Sequence, residues 1–382
     1  MQGVHSGKQN KAAAALLQFA QKNIVMLIAL FAAIVTMFFV PIDREYLGYF
    51  DFRTLTCLFC VLAVVCALGN EFFFYTLARK VVVLFKTTRM SVLALVYITF
   101  IGSMLIANDM ALLTFLPLGY FVLHTTKKEK YMAFTFIMQN IAANPGGMLT
   151  PFGNPQNLYL YTKFQIPTGE FMQIMALPFV FAVALITLCC LIFVKAEPLE
   201  LHDMEMKLNR KRIALYLVLF ALSIAIVFRS IPYWIGLIVI PLTLLIFDRK
   251  ALKHVDYPLL FTFVFFFIFA GNMARIGVIR SFFSSLLKWD TFLVSTASCQ
   301  FISNVPSAIL LSQFTTRYAD LLLGVNIGGV GSLIASLASL ITLRTYSAHF
   351  PDKTLRYIGL FSTINFAFLF LLIGFVLLLR LF

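Results

Sequence analysis

Long apolar runs separated by short polar and basic connections dominate the hydropathy pattern of the chain. A membrane-spanning helix needs about 20 mostly apolar residues, and several runs approach that length without interruption. They cover residues 23–41, 53–69, 171–194, 213–229, 232–247, 257–271 and 355–379. The pattern therefore predicts an all-α protein that crosses a membrane several times.

Two other apolar stretches, 91–123 and 291–315, could each cross the membrane once or enter it and turn back. Charge favours turning back, because cytoplasmic loops carry the excess of Lys and Arg. If 91–123 crossed once, the basic loops that follow it would lie outside. With two re-entrant hairpins and a cytoplasmic N-terminus, we expect about nine crossings and an external C-terminus.

Composition agrees with a bilayer as the environment of the chain. Of the residues, 61% are hydrophobic and 12% are charged, whereas about 25% are charged in soluble domains. The net charge of +14 would suggest nucleic acid in a soluble protein. Here the Lys and Arg lie between apolar runs, so we expect an inner or plasma membrane location and no nucleic-acid partner. Cys57 and Cys60 lack a second pair that would complete a zinc site, and we expect no metal centre and no cofactor.

An internal repeat relates the two halves of the chain. The segment 144–160 aligns without a gap with 326–342. The aligned pairs are Asn144 with Asn326, Gly146 with Gly328, Gly147 with Gly329, Thr150 with Ser332, Asn154 with Ser336, and Asn157 with Ser339. Upstream, Asn108 matches Asn304. In the expected topology the two hairpins open from opposite sides, which makes the repeats inverted, as in many secondary transporters.

These features predict a cytoplasmic tail (1–22), two repeats and a cytoplasmic linker (195–212). The N-terminal repeat, 23–194, contains scaffold helices (23–69), an amphipathic arm (71–90), a hairpin (91–123), a broken helix (131–161) and a further helix (171–194). The C-terminal inverted repeat, 213–382, contains scaffold helices (213–271), an arm (272–290), a hairpin (291–315), a broken helix (320–343) and a further helix (355–379).

Binding residues are expected where the helices break, because irregular backbone within a membrane is tolerated only where it is buried or lines a cavity. A break exposes N–H groups that favour anions. Its carbonyls favour Na⁺. The candidates are Asn108, Asp109, Asn144, Gly146, Gly147, Thr150, Pro151, Gly153, Asn154, Gln156, Asn157, Ser303, Asn304, Pro306, Asn326, Gly328, Gly329, Ser332, Ser336 and Ser339. We expect Na⁺ near Asn108 and Asn154, and near Asn304 and Ser336. The alternative is that these small and polar residues only pack helices together.

Asp109 is the acidic residue that lies in the middle of an apolar stretch. An intramembrane carboxylate is costly and marks an ion or proton site by default. Its match in the second half is Val305, so we expect one carboxylate-based coupling site, in the first half. The alternative role for Asp109 is a helix cap at the hairpin tip.

Four segments carry a resemblance to a known family. They are ANDMALLTFLP (107–117), NPGGMLTPFGNPQNL (144–158), SNVPSAILLSQFT (303–315) and NIGGVGSLIASLASL (326–340). They resemble the signature segments of citrate-transporter-like permeases of the ion transporter superfamily, which includes divalent-anion/Na⁺ symporters, arsenite efflux permeases and Na⁺/H⁺ antiporters. The resemblance implies an elevator-type carrier, often a homodimer, in which the hairpins and broken helices slide along a fixed scaffold.

The hairpin tips refine what the resemblance implies. Dicarboxylate members carry Ser-Asn-Thr at each tip, which binds carboxylate and Na⁺. Here the tips are 107–109, Ala-Asn-Asp, and 303–305, Ser-Asn-Val; the first is more similar to the arsenite-permease branch. We expect a carrier for a small anion, either a carboxylate or an inorganic oxyanion, coupled to Na⁺ or H⁺. The alternative is an arsenite-type exporter or a Na⁺/H⁺ antiporter that uses Asp109. A channel or an enzyme is disfavoured by the repeats and by the lack of paired acids in the spans.

Overall fold

A computed structural model describes residues 23–199 and 208–381. The predicted tail and the middle of the predicted linker lie outside these ranges. Within them the chain is helical and forms no β-strand. Five segments are long and apolar enough to cross a bilayer, namely Phe52–Asn70, Thr88–Ile106, Thr168–Phe193, Tyr257–Arg275 and Pro351–Leu379. The predicted all-α, multi-pass membrane fold is confirmed, and the number of crossings stays a prediction.

The described part of the chain contains eighteen α-helices. The first half contains α1 (Ile24–Met37), α2 (Phe52–Asn70), α3 (Phe73–Val83), α4 (Thr88–Ile106), α5 (Asn108–Thr125), α6 (Met132–Gly146), α7 (Pro155–Lys163) and α8 (Thr168–Phe193). The second half contains α9 (Arg210–Val227), α10 (Tyr233–Phe247), α11 (Arg249–His254), α12 (Tyr257–Arg275), α13 (Gly277–Trp289), α14 (Thr291–Ile302), α15 (Asn304–Leu311), α16 (Tyr318–Ile327), α17 (Leu337–His349) and α18 (Thr354–Leu379). Short 3₁₀ segments cover Arg44–Tyr49, Glu129–Tyr131 and Pro351–Lys353.

The two predicted hairpins are pairs of helices that fold back on each other. Hairpin 1 consists of α4 and α5, which are joined at Ala107, and hairpin 2 consists of α14 and α15, which are joined at Ser303. Hairpin 1 begins at Thr88, three residues before the expected position, so the preceding arm is shorter than 71–90. The physical reason is a cap, because Thr87 Oγ1 accepts the Met90 N–H and starts a new helix there.

The segment that follows α8 holds the base of hairpin 1. The Thr88 N–H donates to Glu197 O at 2.8 Å, and the Leu199 N–H donates to Lys86 O at 2.9 Å. The Glu197 carboxylate accepts from Lys128 at 2.7 Å and from Lys130 at 2.5 Å. These donors lower the pKa of Glu197 to about 2.

The broken helix of each half packs against helices of the other half. Broken helix 1 consists of α6 and α7, and broken helix 2 consists of α16 and α17. Helix α7 packs on α15 and α16, whereas α17 packs on α5 and α6. Helices α1 and α12 pack on each other, and α12 also contacts α15 of hairpin 2. Both hairpin tips and both helix breaks therefore meet inside the molecule.

Candidate functional site

The two hairpin tips have the same backbone conformation. Ala107 has φ 67° and ψ 153°, and Ser303 has φ 73° and ψ 161°. After each of these residues a new helix starts with a buried asparagine. Asn108 Oδ1 accepts the Asp109 N–H at 3.0 Å, and Asn304 Oδ1 accepts the next N–H of its own helix at 2.9 Å. Each asparagine thus satisfies a backbone donor that the new helix leaves unpaired.

The two helix breaks also match in conformation. Asn154 has φ −136° and ψ 144°, and Ser336 has φ −148° and ψ 152°. Helix α7 starts immediately after the first, with Pro155 at a position that suits proline because it needs no N–H donor. Hydroxyl groups tie each break to its own hairpin: Thr150 Oγ1 donates to Met104 O, and Ser332 Oγ donates to Gln300 O, both at 3.0 Å.

Glycines allow backbone segments to approach each other closely at the breaks. A Cβ on Gly146 would lie 2.5 Å from the carbonyl oxygen of Phe100 in hairpin 1. A Cβ on Gly328 would lie 2.7 Å from Gly324 O, and one on Gly153 would lie 2.5 Å from Gly147 O. Side chains at these positions are therefore excluded on steric grounds. Pro151 lies buried in the first break.

A buried cluster of amides joins the two breaks across the repeat. Asn154 Nδ2 donates to Asn326 Oδ1 at 3.3 Å and to Asn144 O at 3.3 Å. Asn326 Nδ2 donates to Asn157 Oδ1 at 2.6 Å. Asn157 Nδ2 donates back to Gly147 O at 3.0 Å. These four asparagines are at most 1% exposed. The sequence-predicted residues from the two halves thus lie in one network.

Both hairpin tips reach this amide cluster. Asn108 Nδ2 donates to Asn144 Oδ1 at 3.4 Å. On the other side, a Cβ on Gly329 would lie 3.1 Å from Asn304 Nδ2 and 3.2 Å from Asn144 Oδ1. The tip of hairpin 2 is also bonded to the second break, because the Asn304 N–H donates to Ala335 O at 3.0 Å. Ser336 and Ser339 lie farther along this break, and their hydroxyl oxygens are 3.2 Å apart.

Helix termini give this centre a specific electrostatic character. Helices α5, α7, α15 and α17 all begin there, with Asn108, Pro155, Asn304 and Leu337. The first residues of a helix carry unpaired N–H groups and the positive end of its dipole, and this combination favours anions. Helices α4, α6, α14 and α16 end near the same place, so backbone carbonyls are also available to a cation.

A cavity of about 570 Å³ lies against these helix termini. Its polar side is lined by Asn108, Asp109, Gln156, Ser303 and Asn304, and the first residues of α7, α15 and α17 also line it. Pro306 contributes to the same wall. The opposite side is formed by α1 and α12. A volume of this size is typical of small-molecule sites, which span about 300–1,000 Å³.

Among the site residues predicted from the sequence, three buried side-chain oxygens lack a hydrogen bond within the part of the chain that the structure describes. They are Asp109 Oδ1, Asn154 Oδ1 and Gln156 Oε1. Buried acceptors without a donor are costly, and oxygen ligands suit hard cations. The N-cap position at this tip is Ala107, and the hydrogen bond to the first turn comes from Asn108 Oδ1 rather than from the Asp109 side chain. Asp109 and Gln156 also line the cavity, so two of these three acceptors border a space that a cation can enter.

Several polar residues at the centre were not among the sequence candidates. Asn140 Nδ2 donates to Asn365 Oδ1 at 3.3 Å, and Thr342 Oγ1 donates to Asn140 Oδ1 at 3.3 Å. This group connects α6, α17 and α18. Asn140 precedes Asn144 by one helical turn, so helical spacing would have placed both on one face. Asn365 is a lone amide within a long apolar run, and such a residue is itself a signal.

Gln300 was also not among the sequence candidates, although its hydrogen bonds hold the second helix break together. Its Nε2 donates to Gly328 O at 2.8 Å and to Val330 O at 3.2 Å, and its Oε1 accepts the Ser332 N–H at 2.8 Å. The corresponding residue in hairpin 1 is Met104, so the repeat comparison could not point to it. The two breaks therefore match in shape but differ in how they are braced.

A substitution at Gly331 tests how much the hydrogen bonds between Gln300 and the second break contribute to stability. It has φ 126°, and a Cβ there would collide with Gln300 Oε1. We expect Gly331→Ala to destabilise the protein by about 1–3 kcal/mol, because an L-residue is strained at this φ. Thermal unfolding in detergent measures the effect. Gly374→Ala is the matched control, since that glycine lies within α18 with open space around its Cβ position. An equal midpoint for both variants would contradict the assigned role.

Comparison with known proteins relates most of the chain to one family. The family described as "Citrate transporter" matches residues 12–321. An uncharacterised transporter of Methanocaldococcus jannaschii is 34% identical over 297 residues, which are 77% of this chain and 81% of that protein. The inner membrane protein YbiR of Escherichia coli is 28% identical over 320 residues, which are 80% of this chain and 83% of that protein.

Proposed function

Because the chain belongs to the citrate transporter family of secondary anion transporters, we propose that it carries a small anion together with Na⁺ or H⁺. The observation that carries this proposal is the convergence of four helix N-termini on one cavity. Binding at such termini stabilises an anion without placing a fixed cation beside it. The anion can therefore be released again, as transport requires.

The anion-binding position that we propose lies between the two tip asparagines. Asn108 and Asn304 are each 3% exposed and line the cavity. Their side-chain oxygens accept backbone N–H groups. The two amide nitrogens are therefore the donors that these side chains offer at the centre of the site. Amide and backbone donors from both repeats would then surround the anion.

The coupling cation would bind in the first half. Asp109 Oδ1, Asn154 Oδ1 and Gln156 Oε1 are buried acceptors without a hydrogen bond in the described ranges. They would supply a carboxylate and two neutral oxygens, which is a ligand set that Na⁺ accepts. A proton on Asp109 would satisfy the same oxygen. The corresponding tip residue of the second half is Val305, which offers no ligand, and this favours a single carboxylate-dependent site.

An elevator movement is the mechanism we propose. The hairpins and broken helices form one densely interlocked group, because α7 contacts hairpin 2 and α17 contacts hairpin 1. The cavity separates part of this group from α1 and α12. The matched conformations of tips and breaks favour two repeats, which the charge pattern would orient in opposite directions with a cytoplasmic N-terminus. A homodimeric scaffold would hold the moving groups.

The alternative function is export of an arsenite-type substrate or Na⁺/H⁺ antiport, with Asp109 as the exchanged site. The unpaired Asp109 Oδ1 favours this alternative as well. The antiport alternative differs from the leading proposal in what is transported, since an antiporter exchanges cations without a bound anion.

Uptake into proteoliposomes tests the proposal. Citrate, succinate, sulfate and arsenite are offered with an imposed Na⁺ gradient, an imposed pH gradient or neither. We expect one class of anion to accumulate only when a gradient is present. Butanoate is included as a monocarboxylate, and if no anion of this extended panel moves while a Na⁺ gradient drives proton flux, the antiporter alternative replaces the symport proposal. Uptake that proceeds equally without any gradient would contradict coupling.

A further inference from the structure

We propose that the substrate is an amphipathic monocarboxylate, which has one carboxylate and an apolar body of several carbon atoms. This inference rests on the proposed function and narrows the substrate class of the same site. It follows from the uneven chemistry of the cavity, because the helix termini and tip amides supply one group of polar contacts and most of the other lining side chains are apolar, with Asp256 and Arg344 among the exceptions.

The apolar wall is formed largely by aromatic side chains. Phe266 and Phe269 of α12 line it, with ring centroids 6.2 Å apart, and Phe283 of α13 lies on the same wall. Val305 and Ile334 contribute from hairpin 2 and from the second break. A hydrophilic di- or tricarboxylate would lose water there without gaining a partner, which is unfavourable. An alkyl or aryl body would instead gain free energy from the same contact.

Charge gives an independent argument. Within the described ranges, Arg344 is the only basic side chain that lines the cavity, whereas Asp109 and Asp256 supply two carboxylates. Asp256 also accepts the Leu259 N–H at 3.0 Å and caps α12. With a cation bound at Asp109, the wall has one acidic side chain and one basic side chain and therefore no excess positive charge for the second and third carboxylates of a tricarboxylate. Buried charges without compensation are costly, so the wall favours the substrate with the fewest charges.

The polar end offers one place for a carboxylate and a cation together. Gln156 is 1% exposed, lines the cavity and carries an unpaired Oε1 within the described part of the chain. Asp109 faces the same space. A cation bound by these oxygens would lie beside the helix N-termini that hold the carboxylate. The apolar body then lies against the aromatic side chains that α12 contributes to the cavity.

Binding to the purified full-length protein in lipid nanodiscs tests the inference. The probes are acetate, butanoate, hexanoate, adipate, succinate and citrate, each added in Na⁺ buffer, and the thermal unfolding midpoint reports binding. From acetate to hexanoate we expect the dissociation constant to fall about fourfold per methylene, equivalent to about 0.8 kcal/mol. Adipate has the same chain length as hexanoate, and its second carboxylate should weaken binding at least tenfold.

A pair of variants separates cavity binding from partition into lipid. Phe269 lines the cavity, whereas Phe261 lies on the same helix, is 51% exposed and is absent from the cavity wall. Phe269→Ala should weaken hexanoate binding about tenfold and leave acetate unchanged. Phe261→Ala should change neither. If hexanoate shifts the midpoint of both variants as much as that of the parent protein, the effect comes from lipid, and that result, like equal losses in both variants, would overturn the inference.

The remaining outcomes distinguish the two proposals. If citrate or succinate binds more tightly than hexanoate, or if affinity does not depend on chain length, the substrate class proposed here is wrong while anion transport stands. If none of the acids binds and no anion is taken up by proteoliposomes, the proposed function fails, and the inference that rests on it fails too.

Discussion

Replacing Asp109 with Asn is expected to abolish cation-coupled uptake while the protein still folds. Asp109 Oδ1 makes no hydrogen bond within residues 23–199 and 208–381, so the folded state does not depend on its charge. Asn has nearly the same shape, but it can neither bind a proton nor neutralise a cation. Because the corresponding residue of the second half is Val305, no equivalent carboxylate can replace it. Initial rates of gradient-driven uptake should fall at least 100-fold.

A distant carboxylate provides the control for this experiment. Asp290 caps α14 by accepting the Leu293 N–H at 2.9 Å and pairs with Arg380 at 2.9 Å. Asp290→Asn keeps the capping oxygen and lies outside the cavity, so coupled uptake should persist. Unfolding midpoints of both variants should remain near that of the parent protein. Coupled uptake at the parent rate in Asp109→Asn would refute the assignment of the coupling site.

The sequence was sufficient to predict the helical elements because their causes are local. Long apolar runs require helices in a membrane, where backbone groups must be paired within the segment. The end of the first arm was less predictable. A continuous amphipathic pattern covers 71–90, yet helix α3 ends at Val83 and helix α4 begins at Thr88. Thr87 caps the new helix locally, but residues 86 and 88 also pair through their backbones with 197–199, a segment more than 100 residues away, and no local pattern reports such a contact.

The candidate site followed from irregularities rather than from periodicity. Pro, Gly and Asn within apolar runs indicated the breaks, and the structure brings Asn144, Asn154 and Asn326 into contact. Gln300 could not be found in this way, because it is a single amide within a regular helix, and Asn365, although a lone amide in an apolar run is a signal, gave no indication of its partner. Their partners are backbone and side-chain groups of distant helices. Long-range pairing of single polar residues is therefore the part of the site that the sequence does not reveal.

The two repeats share a backbone design but distribute their polar groups differently. In the first break the Asn157 side chain makes hydrogen bonds to Gly147 of its own half and to Asn326 of the other half. The matched residue Ser339 makes only weak contacts. In the second break the bracing comes instead from Gln300 of the hairpin. The first half thus retains free oxygens for a cation, and the second half is more fully bonded. This asymmetry agrees with one coupling site per chain.

Asn157→Ala is expected to destabilise the protein far more than Ser339→Ala, although the two residues occupy matched positions. Asn157 donates to Gly147 O at 3.0 Å and to Met148 O at 3.4 Å, and it accepts from Asn326 at 2.6 Å. A single interhelical hydrogen bond in a membrane protein contributes only about 0.6 kcal/mol. Removing Asn157 leaves several buried groups unpaired at once, which costs on the order of 3 kcal/mol.

The Ser339 hydroxyl contacts Ser336 Oγ at 3.2 Å and Asn140 Nδ2 at 3.5 Å, so its removal should cost less than about 1 kcal/mol. Thermal unfolding of both variants in the same detergent gives the comparison. A lower midpoint and loss of the monodisperse species are expected for Asn157→Ala alone. Similar midpoints would mean that the cross-repeat amide cluster contributes little to the fold. The asparagines would then be retained for ligand binding, and Asn157→Ala should impair uptake without unfolding the protein.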